Sequence, residues 1–222
     1  MKTNNNGLVM KVLDWAYSKA ISGFGSVESA YKLGDEFLKK KGTLDQQVNS
    51  LIKWQVSKAA TSGFLTGIGG FAILPFSLPA NIASVIYIQI RMISAIAYMG
   101  GHDLQSDRVK TMVMASMIGN GAKEFLKDIG INAGEKVVNK MMTKSSSKII
   151  TSINEKLGTK FFTKSGSKSL GKFVPLVGGV IGGAFDGAST RIVGKVAKKI
   201  FIDDNNNDAE AEIEEVVTIQ VQ

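Results

Sequence analysis

The sequence predicts an all-α protein: one multi-helix domain with two apolar, glycine-rich helical segments packed together, and a disordered acidic C-terminal tail. Three observations predict it. Only three prolines occur in 222 residues, so most of the chain is free of the residue that breaks a helix by removing a backbone donor. Apolar side chains recur at helical spacing along most of it. Residues 59–101 carry one formal charge, Arg91, and Gly179, Gly183 and Gly187 repeat every four residues. Stretches so small and so uncharged suit helices that pack very closely or meet lipid.

The opening helix has Leu8, Val12, Ala16 and Ala20 on one stripe, flanked by Leu13 and Ile21. A second helix is expected from Val27 to Lys41, ending at Gly42. Thr43 and Gln46 have the spacing of a capping box, in which hydroxyl and amide each satisfy a backbone N–H. The helix they open should bury Leu44, Val48, Leu51, Ile52, Val56 and Ala59. Pro75 and Pro79 then bound a turn, and a long helix should run from about Pro79 to Met99, closed by Gly100 and Gly101. Its residues Asn81, Ser84, Tyr87, Arg91, Ser94 and Tyr98 fall on one narrow stripe, and the rest is apolar nearly all round, as in a helix buried in protein or membrane. A loop over 102–106 leads to a helix expected from Asp107 to Lys127. Residues 136–172 read as two or three lysine-rich helices, and Phe173 to Ile202 as a hairpin-like pair of segments. The domain should span 7–202, between a disordered stretch 1–6 and an acidic tail 203–222.

Charge divides along the chain. Seven acids and no base lie in residues 203–222, so the first 202 residues hold 27 bases against 12 acids, a net +15. A basic body points to an anionic partner. Lysines step by four through Lys140, Lys144, Lys148, Lys156, Lys160, Lys164 and Lys168, with Ser152 in the one missing place, a footprint suited to anionic headgroups or an ordinary solvated face. Nucleic acid is disfavoured, because arginines and interleaved aromatics are scarce. The absence of cysteine excludes disulfides and thiolate metal sites and fits a reducing compartment.

Gly63 and Gly67, with Gly179, Gly183 and Gly187, offer smooth helix faces for close packing or membrane contact. Arg91 in its apolar helix needs a partner, since a buried unpaired charge is costly. Asp186, Asp103, Asp107 and Glu124 are the candidates, Asp186 foremost as the lone acid of the second apolar segment. A membrane span is one reading of the long helix, although residues 81–98 are only marginally long enough. The single histidine, His102, lies in a loop, and no hydrolase, phosphate-binding or metalloprotease motif is present. No enzyme, cofactor or metal is therefore expected.

The stretches IKWQVSKAATSGFLTGIGG (52–70), LPANIASVIYIQIRMISAIAYMGG (78–101), 107–131 and 171–201 resemble the EcsC family, mostly bacterial proteins named after the third product of an operon that also encodes an ABC transporter. The resemblance implies a helical fold and, as the positions to carry over, Gln89, Arg91, Asp103, Asp107, Lys110, Gly179, Gly183, Asp186 and Thr190. It implies an aromatic residue where His102 stands. Residues 1–50 and the acidic tail fall outside it. The expectation is a cytoplasmic, membrane-associated, non-enzymatic protein, peripheral to or partly inserted in the bilayer. Its apolar helices would contact lipid and its lysines anionic headgroups, with a membrane protein as a further possible partner. The alternative is a soluble helical adaptor, an accessory to a transporter.

Overall fold

The computed structural model describes residues 3–60, 80–119, 152–153, 155–157 and 179–203. Within them the chain is helical: α1 (Thr3–Ser22), α2 (Ala30–Leu38), α3 (Leu44–Ala60), α4 (Ala80–Met99), α5 (Asp107–Ser116) and α6 (Gly179–Phe201). The all-α expectation holds. The expected helices of 120–150 and 158–178, the Pro-bounded turn and the acidic tail beyond Asp203 lie outside the described residues.

α1 begins at Thr3, ahead of the start at Gly7 that the sequence suggests. It buries Val12, Leu13, Ala16 and Ala20 of the predicted stripe, with Tyr17 beside them; Ile21 is half-buried, and the Leu8 side chain lies outside the described residues. α2 starts three residues later than expected. Phe24 and Val27 exchange two backbone hydrogen bonds of 2.9 Å, with Gly23 and Gly25 at positive φ. This tight turn takes up Val27, the expected first helical residue, and Ser29 then caps α2 by accepting from the Lys32 N–H. The capping box of α3 forms as predicted: Gln46 N–H donates to Thr43 Oγ1 at 3.3 Å, and Thr43 N–H to Gln46 Oε1 at 3.0 Å. Val48, Leu51 and Ile52 are buried, but Leu44 is exposed. It sits in the first turn of α3 beside the exposed α2–α3 connection.

α4 lies at the centre. α1, α2, α3 and α6 all pack on it, and α5 continues from its far end. From Ile86 to Ala97 every side chain of α4 is buried. The polar stripe predicted along this helix therefore faces protein: Tyr87 meets Trp15 and Phe24 of the α1 side, and Tyr98 meets Tyr31 of α2. Among the described residues no helix is long and apolar enough to cross a membrane. The reading of α4 as a span is thus corrected, and its apolar side chains from Ile86 to Ala97 are buried.

α5 stops at Ser116, well short of Lys127, and Gly119 follows at φ +72°, a backbone conformation that ends a helix. α6 is another correction. Where a hairpin was expected, one helix runs unbroken from Gly179 to Phe201. Glycine inside a helix costs about 1 kcal/mol relative to alanine, and tertiary packing overrides it here. A Cβ on Gly194 would sit 3.0 Å from Ile52 Cγ1 and 3.2 Å from Met92 Cε, so its absence lets α3, α4 and α6 close on one another. Lys198 near the end of α6 pairs with Asp45 near the start of α3, so these two helices run antiparallel. α4 and α6 run parallel: Met92 meets Gly194 and Gly100 meets Phe201. The two apolar segments do pack together.

Candidate functional site: the polar contacts of the central helix

Arg91 is 6% exposed. Its Nε donates to the backbone carbonyl of Glu28 at 2.6 Å. That carbonyl belongs to the α1–α2 connection, so a charge inside the bundle holds a loop in place. Burial lowers the guanidinium pKa, and the negative potential of Tyr87, Glu28 and Glu36 pulls it back. A hydrogen bond from a charged donor is among the stronger ones available to a protein. Neither of the two described sequence candidates for its partner is the group bonded here. Asp103 and Asp107 are exposed, with Asp103 accepting from the Gln105 N–H at 2.9 Å. Glu124 and the Asp186 side chain lie outside the described residues.

Further along the same flank, Tyr98 OH donates to Asp35 Oδ1 at 2.8 Å, and this bond raises the tyrosine pKa. Gly34 of α2 makes room for it, since a Cβ there would fall 2.6 Å from Tyr98 Cδ1. Ser94, buried on this stripe, has no partner for its hydroxyl among the described residues.

The opposite flank, toward α6, carries Gln89. Its Nε2 lies 3.2 Å from Ser189 Oγ and 3.5 Å from Thr190 Oγ1. Gln89 and Thr190 are fully buried. Gln55 of α3 is buried too, and both of its amide atoms lack a hydrogen-bond partner among the described residues, as does Gln89 Oε1. Leaving a buried polar atom unmade costs about 1–3 kcal/mol. Sequence reasoning missed Gln55, although it follows Val48, Leu51 and Ile52 at core spacing. It also missed Gly194, seven residues beyond Gly187, and Gly34.

The ends of α4 and α6 meet at His102. Its Nε2 lies 3.1 Å from the Phe201 carbonyl, and its ring packs edge-on against Phe201 at 5.2 Å. The half-buried histidine thus closes the C-terminal end of α6, where carbonyls have no helical partner. Lys110 pairs with Asp14 at 2.8 Å, tying α5 to α1, and Tyr17 OH donates to the Leu104 carbonyl at 2.8 Å. Burial first, then Tyr31, Asp103 and Asp107, hold the Tyr17 phenol above its usual pKa.

A family model described as the EcsC protein family matches residues 35–202. The chain belongs to the EcsC family. The match begins inside α2, so it reaches further toward the N-terminus than the resemblance at 50 suggested, and it takes in Gly34's neighbour Asp35, α4, α5 and α6. Neither a curated protein nor a solved structure matches the sequence. Of the positions the resemblance carried over for an EcsC protein, Gln89 and Thr190 come together, as Arg91 and Lys110 find partners on α1 and its connection to α2. Of the glycine series, Gly187 is buried, Gly179 and Gly183 lie on the first turns of α6, and Gly63 and Gly67 lie outside the described residues. Of the lysine series, Lys156 is half-buried, while Lys140, Lys144, Lys148, Lys160, Lys164 and Lys168 lie outside them.

Chemically, these contacts join helices. Arg91, Tyr98 and Gln89 of α4 reach a backbone carbonyl, a carboxylate and a hydroxyl of neighbouring elements. Among the described residues no cluster of His, Asp or Glu could hold a metal ion.

Proposed function

We propose that the chain is a non-enzymatic protein that binds the cytoplasmic face of a membrane from outside, as a helical bundle whose basic surface meets anionic phospholipid. The observation that carries this reading is the enclosure of α4. Its apolar residues from Ile86 to Ala97 are buried and its charge is bonded internally, so this stretch of the helix turns no face to lipid. What the bundle turns outward instead includes Lys11, Lys32, Lys39, Lys40, Lys41 and Lys53, on a body of net +15 over its first 202 residues. Surface charge of that kind supports attachment through headgroups.

Vesicle flotation tests it. The full chain should float with vesicles containing phosphatidylserine, stay behind with pure phosphatidylcholine, and be released by high salt, which screens such contacts. Retention through a carbonate wash of native membranes would contradict peripheral attachment. The enclosed α4 equally favours a second reading, a soluble helical adaptor that serves a membrane transporter. A chain that ignores anionic vesicles at low salt belongs to that second class.

A further inference from the structure

We infer that the α2–α3 turn, residues 38–44, is the point at which the bundle touches the anionic bilayer, an inference that rests on the membrane reading above. Three observations converge there. Leu38 and Leu44 are both 37% exposed, the large apolar side chains most open to water among the described residues. Between them stand Lys39, Lys40 and Lys41, all exposed. No acid lies from Phe37 to Leu44, and Asp45, the next residue, is engaged by Lys198 of α6.

The turn is held from within, so its side chains are free to face outward. Gln47 Nε2 donates to the carbonyls of Leu38 at 3.0 Å and Lys40 at 2.7 Å. The Lys39 N–H bonds back to Asp35 O and Phe37 O, Gly42 turns the chain at φ +120°, and the Thr43–Gln46 box fixes the start of α3. These backbone groups are thus satisfied by protein; Lys40 Nζ also lies 3.6 Å from the centroid of the Phe37 ring, while the side chains of Leu38, Lys39, Lys41 and Leu44 are exposed. A cluster of lysines beside exposed leucines fits a surface with negative headgroups above an apolar layer. Phosphate backbone would satisfy the lysines and leave the leucines without a partner, which favours lipid as the occupant.

Near an anionic surface each lysine contributes about fivefold in affinity. Lys39→Gln, Lys40→Gln and Lys41→Gln together should weaken binding to phosphatidylserine-containing vesicles by roughly a hundredfold. Leu38→Ser with Leu44→Ser should weaken it severalfold. A control carrying Lys11→Gln, Lys32→Gln and Lys53→Gln, with the same loss of charge, should lose far less. The chain has no cysteine, so Leu44→Cys bearing an environment-sensitive dye reports the turn directly. Its emission should shift to the blue on phosphatidylserine vesicles, and a Lys11→Cys label should not respond. Tip and control triples that weaken binding equally, or a silent dye at position 44 on vesicles that the chain does bind, would overturn the turn as the docking point while leaving membrane attachment standing. A dye response to heparin alone that equals the vesicle response would overturn lipid as its occupant. Wild-type protein that binds no anionic vesicle would overturn both inferences.

Discussion

The two flanks of α4 close by opposite means. Toward α2 the helix is fastened by polar groups: Arg91 to the Glu28 carbonyl, Tyr98 to Asp35. Toward α3 and α6 there is one polar contact, Gln89 to Ser189, and the seam closes mainly through the lack of a side chain at Gly194, which lets Ile52 and Met92 come together. The first flank gains directionality, because a hydrogen bond fixes both distance and angle. The second gains dispersion contacts, which are individually small and depend on close approach. One helix can thus be apolar almost throughout and still carry a charge at its middle, provided that charge is spent on a loop carbonyl.

Substitutions at the two flanks should separate these mechanisms. The largest effect is expected for Arg91→Ala, which removes a charge-assisted bond and leaves a cavity, at about 3–4 kcal/mol. Lys39→Ala, on the open turn, should change stability by less than about 0.5 kcal/mol. Urea unfolding of the two variants measures both, and equal losses would break the distinction. Gly34→Val and Gly194→Val should each cost about 1–3 kcal/mol through overpacking. The first should also release Tyr98 from Asp35, visible as a phenol that titrates at lower pH, while the second should leave Tyr98 unchanged.

Alkaline titration probes the side of α4 that faces α1 and α2. Tyr17 and Tyr87 both have pKa values raised above the usual 10.0 of a phenol, chiefly by burial. Above that pH the unfolded chain loses phenolic protons that the native state retains. The stabilising contribution of each is therefore whole below pH 10 and drains away as pH rises toward the folded-state value. The slope is at most about 1.4 kcal/mol per pH unit for each phenol. Denaturation curves from pH 8 to 11 should show the decline, and Tyr17→Phe should flatten it. A gain rather than a loss is expected at Gln55. Replacement by Leu removes two unpartnered buried atoms and should stabilise by about 1 kcal/mol. A loss instead would mean that Gln55 holds a polar group that Leu cannot.

Much of this fold can be read from residue order alone. The ends of α4 follow from Pro79 before it and Gly100–Gly101 after it, and the burial of Arg91 follows from its apolar surroundings. The box at Thr43 and Gln46 is a local pattern, and local patterns survive in any tertiary setting. What resists reading is partner choice. Arg91 was expected to seek an acid, yet it bonds a carbonyl, and carbonyls occur at every residue and leave no mark in a sequence. α6 was expected to break because glycine is costly in isolated helices. Its continuity depends on Ile52 and Met92, which lie more than a hundred residues earlier. Leu44 fits the buried spacing of α3, but spacing cannot say that the first turn of a helix projects past its neighbour.

The contacts that seal α4 span long stretches of chain, with Gln89 and Ser189 a hundred positions apart. During synthesis the oily middle of this helix emerges well before the segment that covers it. At roughly 5–20 residues per second, the interval is about 5–20 seconds. Throughout that time the nascent polypeptide presents a hydrophobic surface that a chaperone would bind. The last helix is therefore the step that commits the bundle, and a ribosome that stalls before residue 179 releases a product whose core has never been closed.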